Sequence, residues 1–483
     1  VIPISRKVKL EVGTHIKFRK ECFPSWMHEE IRSFYSHTFT DKVVRWVASK
    51  KIIENQQVKV STLAETKTHF IAPRGSLHKL ERILQVRRYT PQLRFHLTDI
   101  SLPFPVELKL SLYEYQVRAE EKLLKFFEGN LEAPCGSGKT VIALGIISHL
   151  KQTTLILVHT TVIFQQWKKH LEDNLGVENV GIIGGGEKRP RPITLGMVQT
   201  LHKLSNKSMA NLAKVFGCVI CDEAHHVPAY TFLKIIARLK PKYLYGLTAT
   251  PERKDGKEFL LYDFIGPNRY TISDSELIAS GRITDVEVKW ANTNSQIIGD
   301  EWHYMMSALI STPSRNRIIL SEIIEASKNG HYILVLSERV DHCHWISQML
   351  TNKGYENLCI TGKTVKSMGV ILKKAKDFNI LVATMAIAKE GLDLPEISCV
   401  MIMTPTNNKQ VLKQMIGRGR RFKKHKTLVV DFYDSSCLVF SRIANNRMKW
   451  YHEWNFDQMI PDSIDHKPLM KNPRLSSYRK KRK

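Results

Sequence analysis

The stretch LEAPCGSGKTVIALGIISHL, residues 131–150, decides how the rest of the chain is read. Leu131 to Ala133 is a short apolar run, VIALGIISHL is a helical pattern, and APCGSGKT (133–140) joins them, so strand, loop and helix follow in that order. Gly136 and Gly138, with Ser137 between them, let backbone N–H groups curl around phosphate, and the N-terminus of the following helix favours negative charge. Lys139 can reach β and γ phosphates, and Thr140 offers a hydroxyl to Mg2+. Ala133 stands where the usual pattern has its first glycine, which leaves the cradle intact.

Downstream, Asp222 and Glu223 follow the apolar run FGCVIC (216–221). They emerge at the C-terminal edge of a sheet, where open α/β sheets bind ligands. One carboxylate can serve a metal while its neighbour orients and deprotonates an attacking water. Alone, the two acids also fit a solvated acidic turn.

Around these motifs, apolar β-type runs alternate with helical stretches. TLILV, ITLGMV, FGCVIC and YLYGL form one series from Thr154 onward, and YILVL, NILVA, CVMIM and TLVVD form a second. The alternation predicts two similar α/β lobes, each a parallel sheet covered by helices. The expected boundaries are an N-terminal domain at 1–107, a first lobe at 108–265, a linker with some local structure at 266–312, a second lobe at 313–460 and a basic tail at 461–483. The N-terminal domain is set apart by basic residues throughout, short alternating stretches such as Arg94 to Leu97, and the turn-rich LPFPVE at 102–107.

With 483 residues, the chain fits about three domains at roughly 100 to 200 residues each. Its 73 Lys and Arg against 46 Asp and Glu give a net charge of +27, an imbalance that points to a polyanionic partner. The eight cysteines are scattered, several within apolar runs, as in a reduced intracellular protein. Cys218 and Cys221 form a lone CxxC with no second pair at metal-finger spacing, so strand packing is expected. No run of about 18 apolar residues and no signal-peptide pattern is seen, so neither secretion nor a membrane partner is expected.

The residues DEAH (222–225), TAT (248–250) and QMIGRGRR (414–421) resemble the signature of helicase superfamily 2, in its order and spacing, over about 110 to 435. The PCGSGKT loop, TAT with PERKDG directly after it, and TGK at 361–363 resemble the XPB and UvsW branch, which includes branched-DNA helicases of tailed phages. XPB proteins carry Arg-Glu-Asp soon after the TAT-type motif, whereas this chain has Arg253, Lys254 and Asp255.

The resemblance implies two tandem RecA-like lobes plus the small N-terminal domain, ATP with Mg2+ as cofactors, and a monomer acting on single-stranded, forked or branched DNA, moving 3′ to 5′. It implies that Gln116 in LYEYQ reads adenine, that Thr140 and Asp222 hold Mg2+, and that Glu223 is the base. VHTTVIFQQW (158–167) and MVQTL (197–201) resemble strand-contacting motifs, while ITGKT (360–364) and LVATMAIAKEGLDLP (381–395) resemble second-lobe elements that grip backbone and ribose, among them Gly391 and Asp393. Thr160, Thr161, Thr200 and Thr384 are the expected phosphate contacts, which grip a strand without reading its sequence. Arg421, with Arg418 as its partner, is the expected arginine finger supplied from the second lobe. Gln414, His225, Thr248 and Thr250 are expected to relay the state of the ATP cleft to the strand-binding surface.

Three other readings stay open at this point: a double-strand translocase that does not separate strands, an RNA-directed motor, and a non-catalytic nucleic-acid-binding protein. No wedge is identifiable. Trp290, Trp302, Tyr304, Trp450, Tyr451 and Trp454 are aromatic candidates for which packing is the simpler expectation.

Overall fold

The computed structural model describes residues 6–47, 50–227, 230–249, 255–297, 299, 301–362, 375, 377–390, 397–421 and 425–464. The chain divides into two compact units, Val1–Ala279 and Ser280–Lys483.

The first unit opens with β1 (Arg6–Val12), β2 (His15–Arg19), helix α1 (Ser25–Phe34), an antiparallel hairpin of β3 (Ser36–Val47) and β4 (Lys50–Ser61), β5 (Ala64–Glu65), β6 (His69–Pro73), helix α2 (Leu77–Val86) and β7 (Tyr89–Phe95). Five of these strands pair in the order β5-β6-β2-β1-β7, while β3 and β4 pair only with each other. The alternation RKVKLEV in β1 sends Val8, Leu10 and Val12 to one face. There they meet Ile16 and Phe18 of β2, Met27 and Ile31 of α1, and Leu80 and Leu84 of α2 in one buried cluster. Lys7 and Lys9 therefore point the other way.

The same unit continues with α3 (Glu114–Leu124), β8 (Glu128–Glu132), α4 (Lys139–Leu150), β9 (Thr154–Val158), α5 (Thr161–Leu175), β10 (Gly181–Gly184), β11 (Glu187–Arg189), β12 (Ile193–Met197), β13 (Cys218–Cys221), β14 (Tyr243–Thr248) and β15 (Asn268–Thr271). They form an eight-stranded sheet in the order β11-β10-β12-β9-β13-β14-β8-β15, parallel throughout except for β11. TLILV of β9 is buried at every position, as a strand covered on both faces must be.

The N-terminal sheet is docked on this lobe by buried polar groups. Arg74 donates to Glu128 at 3.1 Å and to the carbonyl oxygens of Pro241 and Lys242. The wholly buried Asp263 accepts from Lys79, from Thr62 at 2.7 Å and from His37 at 3.1 Å. Gly75 lies so close to the lobe that a Cβ there would meet the Gly266 nitrogen at 2.4 Å, so no side chain fits. Contact with the lobe already begins at Thr98, which pairs with Pro241, rather than at the expected boundary of 107.

The second unit carries β16 (Val286–Asn292), β17 (Ile333–Ser337), β18 (Leu358–Ile360), β19 (Ile380–Thr384), β20 (Cys399–Ile402), β21 (Thr427–Tyr433) and β22 (Asp457–Met459). These form a wholly parallel sheet in the order β18-β19-β17-β20-β21-β16-β22. Its core joins Ile333, Val335, Val382, Met401 and Val430 to Ile319 and Ile323 of the helix Pro313–Lys328 and Ile346 and Leu350 of the helix Val340–Asn352.

The chain is thus α/β, with two tandem RecA-like parallel-sheet lobes and a small N-terminal domain. The expected linker at 266–312 is corrected: its residues supply β15 to the first sheet, β16 to the second and a helix, Trp302–Ser311, to the second unit. Gly266, Pro267 and Asn292 to Asn294, read as linker punctuation, mark strand ends instead. Cys218 and Cys221 are free and buried in β13, and burial raises both thiols.

Candidate functional site

Parallel strands place their C-terminal ends on one edge, and in the first unit that edge gathers most of the expected residues. Following the sheet, it carries Thr200 after β12, Thr160 and Thr161 after β9, Asp222 and Glu223 after β13, Thr248 ending β14, and the glycine-bearing loop after β8.

The loop is built for an anion. Gly136 and Gly138 have φ of 90° and 76°, values that favour glycine, and α4 begins directly after them. The Ser137 hydroxyl is buried without a hydrogen-bond partner among the described residues. Lys139 turns its ammonium back onto the Ala133 carbonyl at 2.9 Å, a weak partner that a phosphate would displace. Thr140 sits in the first turn of α4.

Gln116 is tied to the loop. Its amide accepts from the Tyr113 nitrogen and donates to the Ser137 carbonyl, both at 3.0 Å, and Tyr115 donates to the same carbonyl. The amide nitrogen therefore holds the loop from behind while the oxygen caps α3. A Cβ at Gly138 would come within 2.4 Å of the Gln116 nitrogen, so this clamp itself requires glycine at that place.

Asp222 is buried, with Oδ2 accepting from the Trp167 indole at 2.7 Å and Oδ1 from the Glu223 nitrogen at 2.9 Å. Burial, then the charge of Glu223, push its carboxyl up to about 6, while the indole and the Lys139 ammonium pull the other way. Lys139 and Asp222 thus share one electrostatic environment, and a cation there would relieve the crowded acids. Glu223 holds a left-handed backbone with φ of 48°, the kind of strain kept where function needs a side chain aimed. Its Oε2 lies 3.3 Å from Nδ1 of His225, which is also 3.3 Å from the Thr248 hydroxyl. Glu223, His225 and Thr248 therefore form a continuous string across β13 and β14.

The strand side of the edge is also tied together. Thr160 caps α5 by accepting from the Ile163 nitrogen at 3.2 Å, and Thr161 is exposed beside it. Gln199, next to half-buried Thr200, donates to the His159 carbonyl at 2.6 Å. Two signals were illegible in the sequence: the indole of Trp167 that fixes Asp222, and this bridge from Gln199.

In the second unit Thr384 ends β19 and is nearly buried. Gln414 lies inside the helix Lys409–Gly419 with its carbonyl oxygen buried and unpartnered among the described residues. Arg418 donates to the Ala388 carbonyl at 3.1 Å, and Arg421 is half-buried just beyond the helix. Arg420, between them, is structural: it donates to the Thr284 carbonyl at 3.0 Å and lies over Phe456. Among the aromatic candidates, Trp290 and Tyr451 are core residues, whereas Trp302 and Tyr304 are exposed. Thr250, Arg253, Lys254, Gly391, Asp393 and the tail from 465 lie outside the described residues, as do Lys363 and Thr364. Among the described residues no group of three or more His, Cys, Asp or Glu could hold a metal. Mg2+ instead tends to use one or two carboxylates plus substrate phosphates.

The chain is similar to known proteins. A family model described as "Type III restriction enzyme, res subunit" matches residues 109–253, and one described as "Helicase conserved C-terminal domain" matches 315–423. "Probable helicase D10" of Escherichia phage T5 is 28% identical over 384 residues, 77% of this chain and 82% of that protein. "DNA 3'-5' translocase XPB2" of Sulfurisphaera tokodaii is 29% identical over 379 residues, 68% of this chain and 83% of that protein. The crystal structure of T4 UvsW aligns over 94% of this chain and 98% of its own, at a TM-score of 0.42 and 16% identity. Other curated relatives carry RNA-helicase as well as DNA-helicase names. The chain is an ATP-dependent nucleic-acid helicase, a hydrolase of superfamily 2. Within that superfamily it resembles the XPB/UvsW-like branch.

Proposed function

We propose that the chain moves along DNA and unwinds or remodels forks and junctions, coupling ATP hydrolysis to closing and opening of its lobes. The observation that carries this is the order along one sheet edge, where strand-gripping threonines, the acid pair and the phosphate loop stand on adjacent strands. Grip and hydrolysis then share one rigid support. In this reading the loop and Lys139 hold the phosphates, Thr140 and Asp222 hold Mg2+, and Glu223 takes the proton of the attacking water. Bound Mg2+ would neutralise phosphate charge. Gln116 reads the adenine and braces the loop from behind.

Arg421, assisted by Arg418, is the finger from the second lobe, a contribution worth roughly 10³ to 10⁵ in rate. Gly391 and Asp393 are assigned to the ribose. Thr160, Thr161, Thr200 and Thr384 hold strand phosphates, and His225, Thr248, Thr250 and Gln414 carry the state of the nucleotide between the two tasks. The N-terminal domain is a second DNA contact, the functional form is a monomer, and movement is 3′ to 5′, as the name of the XPB2 relative states for that protein. No described helix is long and apolar enough to cross a membrane.

The test is ATPase stimulation by single strands, duplexes, forks, four-way junctions and RNA at one stated salt concentration, with strand-displacement and triplex-displacement assays beside it. Forks and junctions should stimulate most and release strands. Triplex loss without strand release would make the chain a double-strand translocase, and stronger stimulation by RNA would make it an RNA motor.

A further inference from the structure

The N-terminal sheet has one face packed and one bare. On the packed face lie α1, α2 and the apolar cluster. On the bare face β1 presents Lys7 and Lys9, β2 presents Lys17 and Arg19, and β7 presents Arg94, all exposed. The acid facing out among them is Glu11. Strand pairing sets it between Lys17 on one side and Arg94 on the other, and Lys9 reaches it at 3.5 Å. Lys9 is paired with Glu11 and Arg19 with Glu21 at 2.6 Å, which leaves five cations against two acids, a positive excess that an ordinary solvated sheet face, mixing both signs, does not carry. Successive outward residues on a strand lie about 6.7 Å apart and neighbouring strands about 4.8 Å apart, so the charges form a grid rather than a point.

The face also lacks something. Opposite Lys7 and Lys9 stand Thr90 and Gln92, which can donate to phosphate oxygens, and no Phe, Tyr or Trp points outward there. Surfaces that hold single strands stack bases on aromatic side chains. This one offers charge and hydrogen bonds alone, and such a surface favours the partner with the densest phosphates. A duplex carries one charge per roughly 1.7 Å of axis, twice the density of one of its strands.

We propose that the bare face of the β5-β6-β2-β1-β7 sheet grips the phosphates of duplex DNA without reading sequence, holding an unopened arm while the lobes act on a strand. This rests on the reading of the chain as a DNA motor and deepens it by naming the surface and the form of DNA it takes.

The experiment measures equilibrium binding of the full chain, without nucleotide, to a blunt duplex and to a single strand of the same length across a salt series. Compared are the wild type, Lys9→Glu/Lys17→Glu/Arg94→Glu, and the milder Lys9→Gln/Lys17→Gln/Arg94→Gln. The slope of log affinity against log salt for the duplex should become shallower by about 2.7, at about 0.9 for each of three phosphates. Affinity for the single strand should change less, and basal ATPase should stay as in the wild type. The glutamine variant should show the same slope change, which separates lost charge from misfolding. Unchanged slopes in both variants, or equal loss on duplex and single strand, would overturn the proposal. So would binding of the wild type to anionic phospholipid vesicles in preference to duplex. A wild type that binds duplex as expected but whose ATPase ignores DNA would instead sink the motor reading and leave this surface standing.

Discussion

The two lobes follow one recipe and treat their acids in opposite ways. In the first, Asp222 at the end of β13 accepts from an indole and from the Glu223 backbone N–H, Glu223 lies beside His225, and among the described residues no guanidinium is paired with either acid. In the second, Asp431 in β21 takes Arg447 at 2.7 and 2.9 Å together with the Tyr451 hydroxyl at 2.7 Å. Asp434, just after that strand, takes Arg315 at 2.7 Å and the Thr293 hydroxyl at 2.6 Å. All four acids are buried or part-buried, three just beyond the ends of parallel strands and Asp431 within one. On the proposed reading the difference is that an acid that holds a metal must keep its charge unclaimed, at a cost in folding energy, whereas an acid that organises a core is saturated by its own chain.

The sharpest break in that comparison is Glu223→Gln. Removing the proposed base should lower kcat by roughly 10² to 10⁴, while ATP affinity holds and thermal stability stays level or rises, because a crowded carboxylate is gone. Steady-state ATPase, nucleotide binding and a melting curve check all three. A variant that hydrolyses ATP like the parent would remove Glu223 from the chemistry.

Asp434→Asn should invert the pattern. It leaves Arg315 charged, buried and unpaired, and breaking one side of such a pair costs about 3 to 5 kcal/mol. Calorimetry should show the transition of the second unit shifted down, with nucleotide binding to the first unit intact below that temperature. An unshifted transition would mean that Arg315 finds solvent or another acceptor, and the contrast between the lobes would lose its energetic basis.

How much of this was legible follows from the same contrast. TLILV, ILVLS and ILVAT are apolar without interruption because both faces of a parallel sheet are covered, so strands and lobes stood out from the sequence alone. The loop and the acid pair were legible because their chemistry is local. RKVKLEV was passed over as generally basic, since alternation in a strand of seven carries little signal among so many lysines. NRYT of β15, where Asn268 and Thr271 are exposed, has no apolar stripe and passed for linker. Pairings across long separations, Trp167 with Asp222 or Arg315 with Asp434, leave no trace at either position. The clamp of Gln116 on Ser137 was equally illegible, because a motif gives a residue type and the fold decides where its amide points.

Trp167→Phe tests the middle ground. Phenylalanine fills much of the space but donates nothing, and a hydrogen bond to a charged group is worth about 1.5 to 3 kcal/mol. Asp222 would then be free to rotate, and divalent binding should weaken by roughly 10- to 100-fold. Mn2+ affinity read by magnetic resonance with a non-hydrolysable nucleotide is the measurement, and metal-free nucleotide affinity, governed by the loop, should not move. Equal loss in both would show that the indole supports the fold rather than the carboxylate.

The smallest effect concerns a third kind of acid, Asp263, which belongs to the first unit yet is saturated like those of the second. Burial pushes its carboxyl up, but hydrogen bonds from His37, Lys79 and Thr62 and the charge of Lys79 outweigh burial and hold it below its ordinary value. A group depressed in the folded state takes up its proton on unfolding. Its contribution is therefore complete above the unfolded carboxylate value, near about pH 4, and is lost as pH falls through the folded value. Asp263→Asn should be less stable than the wild type at neutral pH, and the gap in urea unfolding should close as the solution is acidified below about pH 4. Because Lys79, His37 and Thr62 all come from the N-terminal domain, the first structure to loosen in the variant should be the seat of that domain on the lobe, visible as faster hydrogen exchange around Gly75 and Gly266. A gap that stays constant through the acid range would show that Asp263 is not held ionised, and would set it apart from the saturated acids of the second unit.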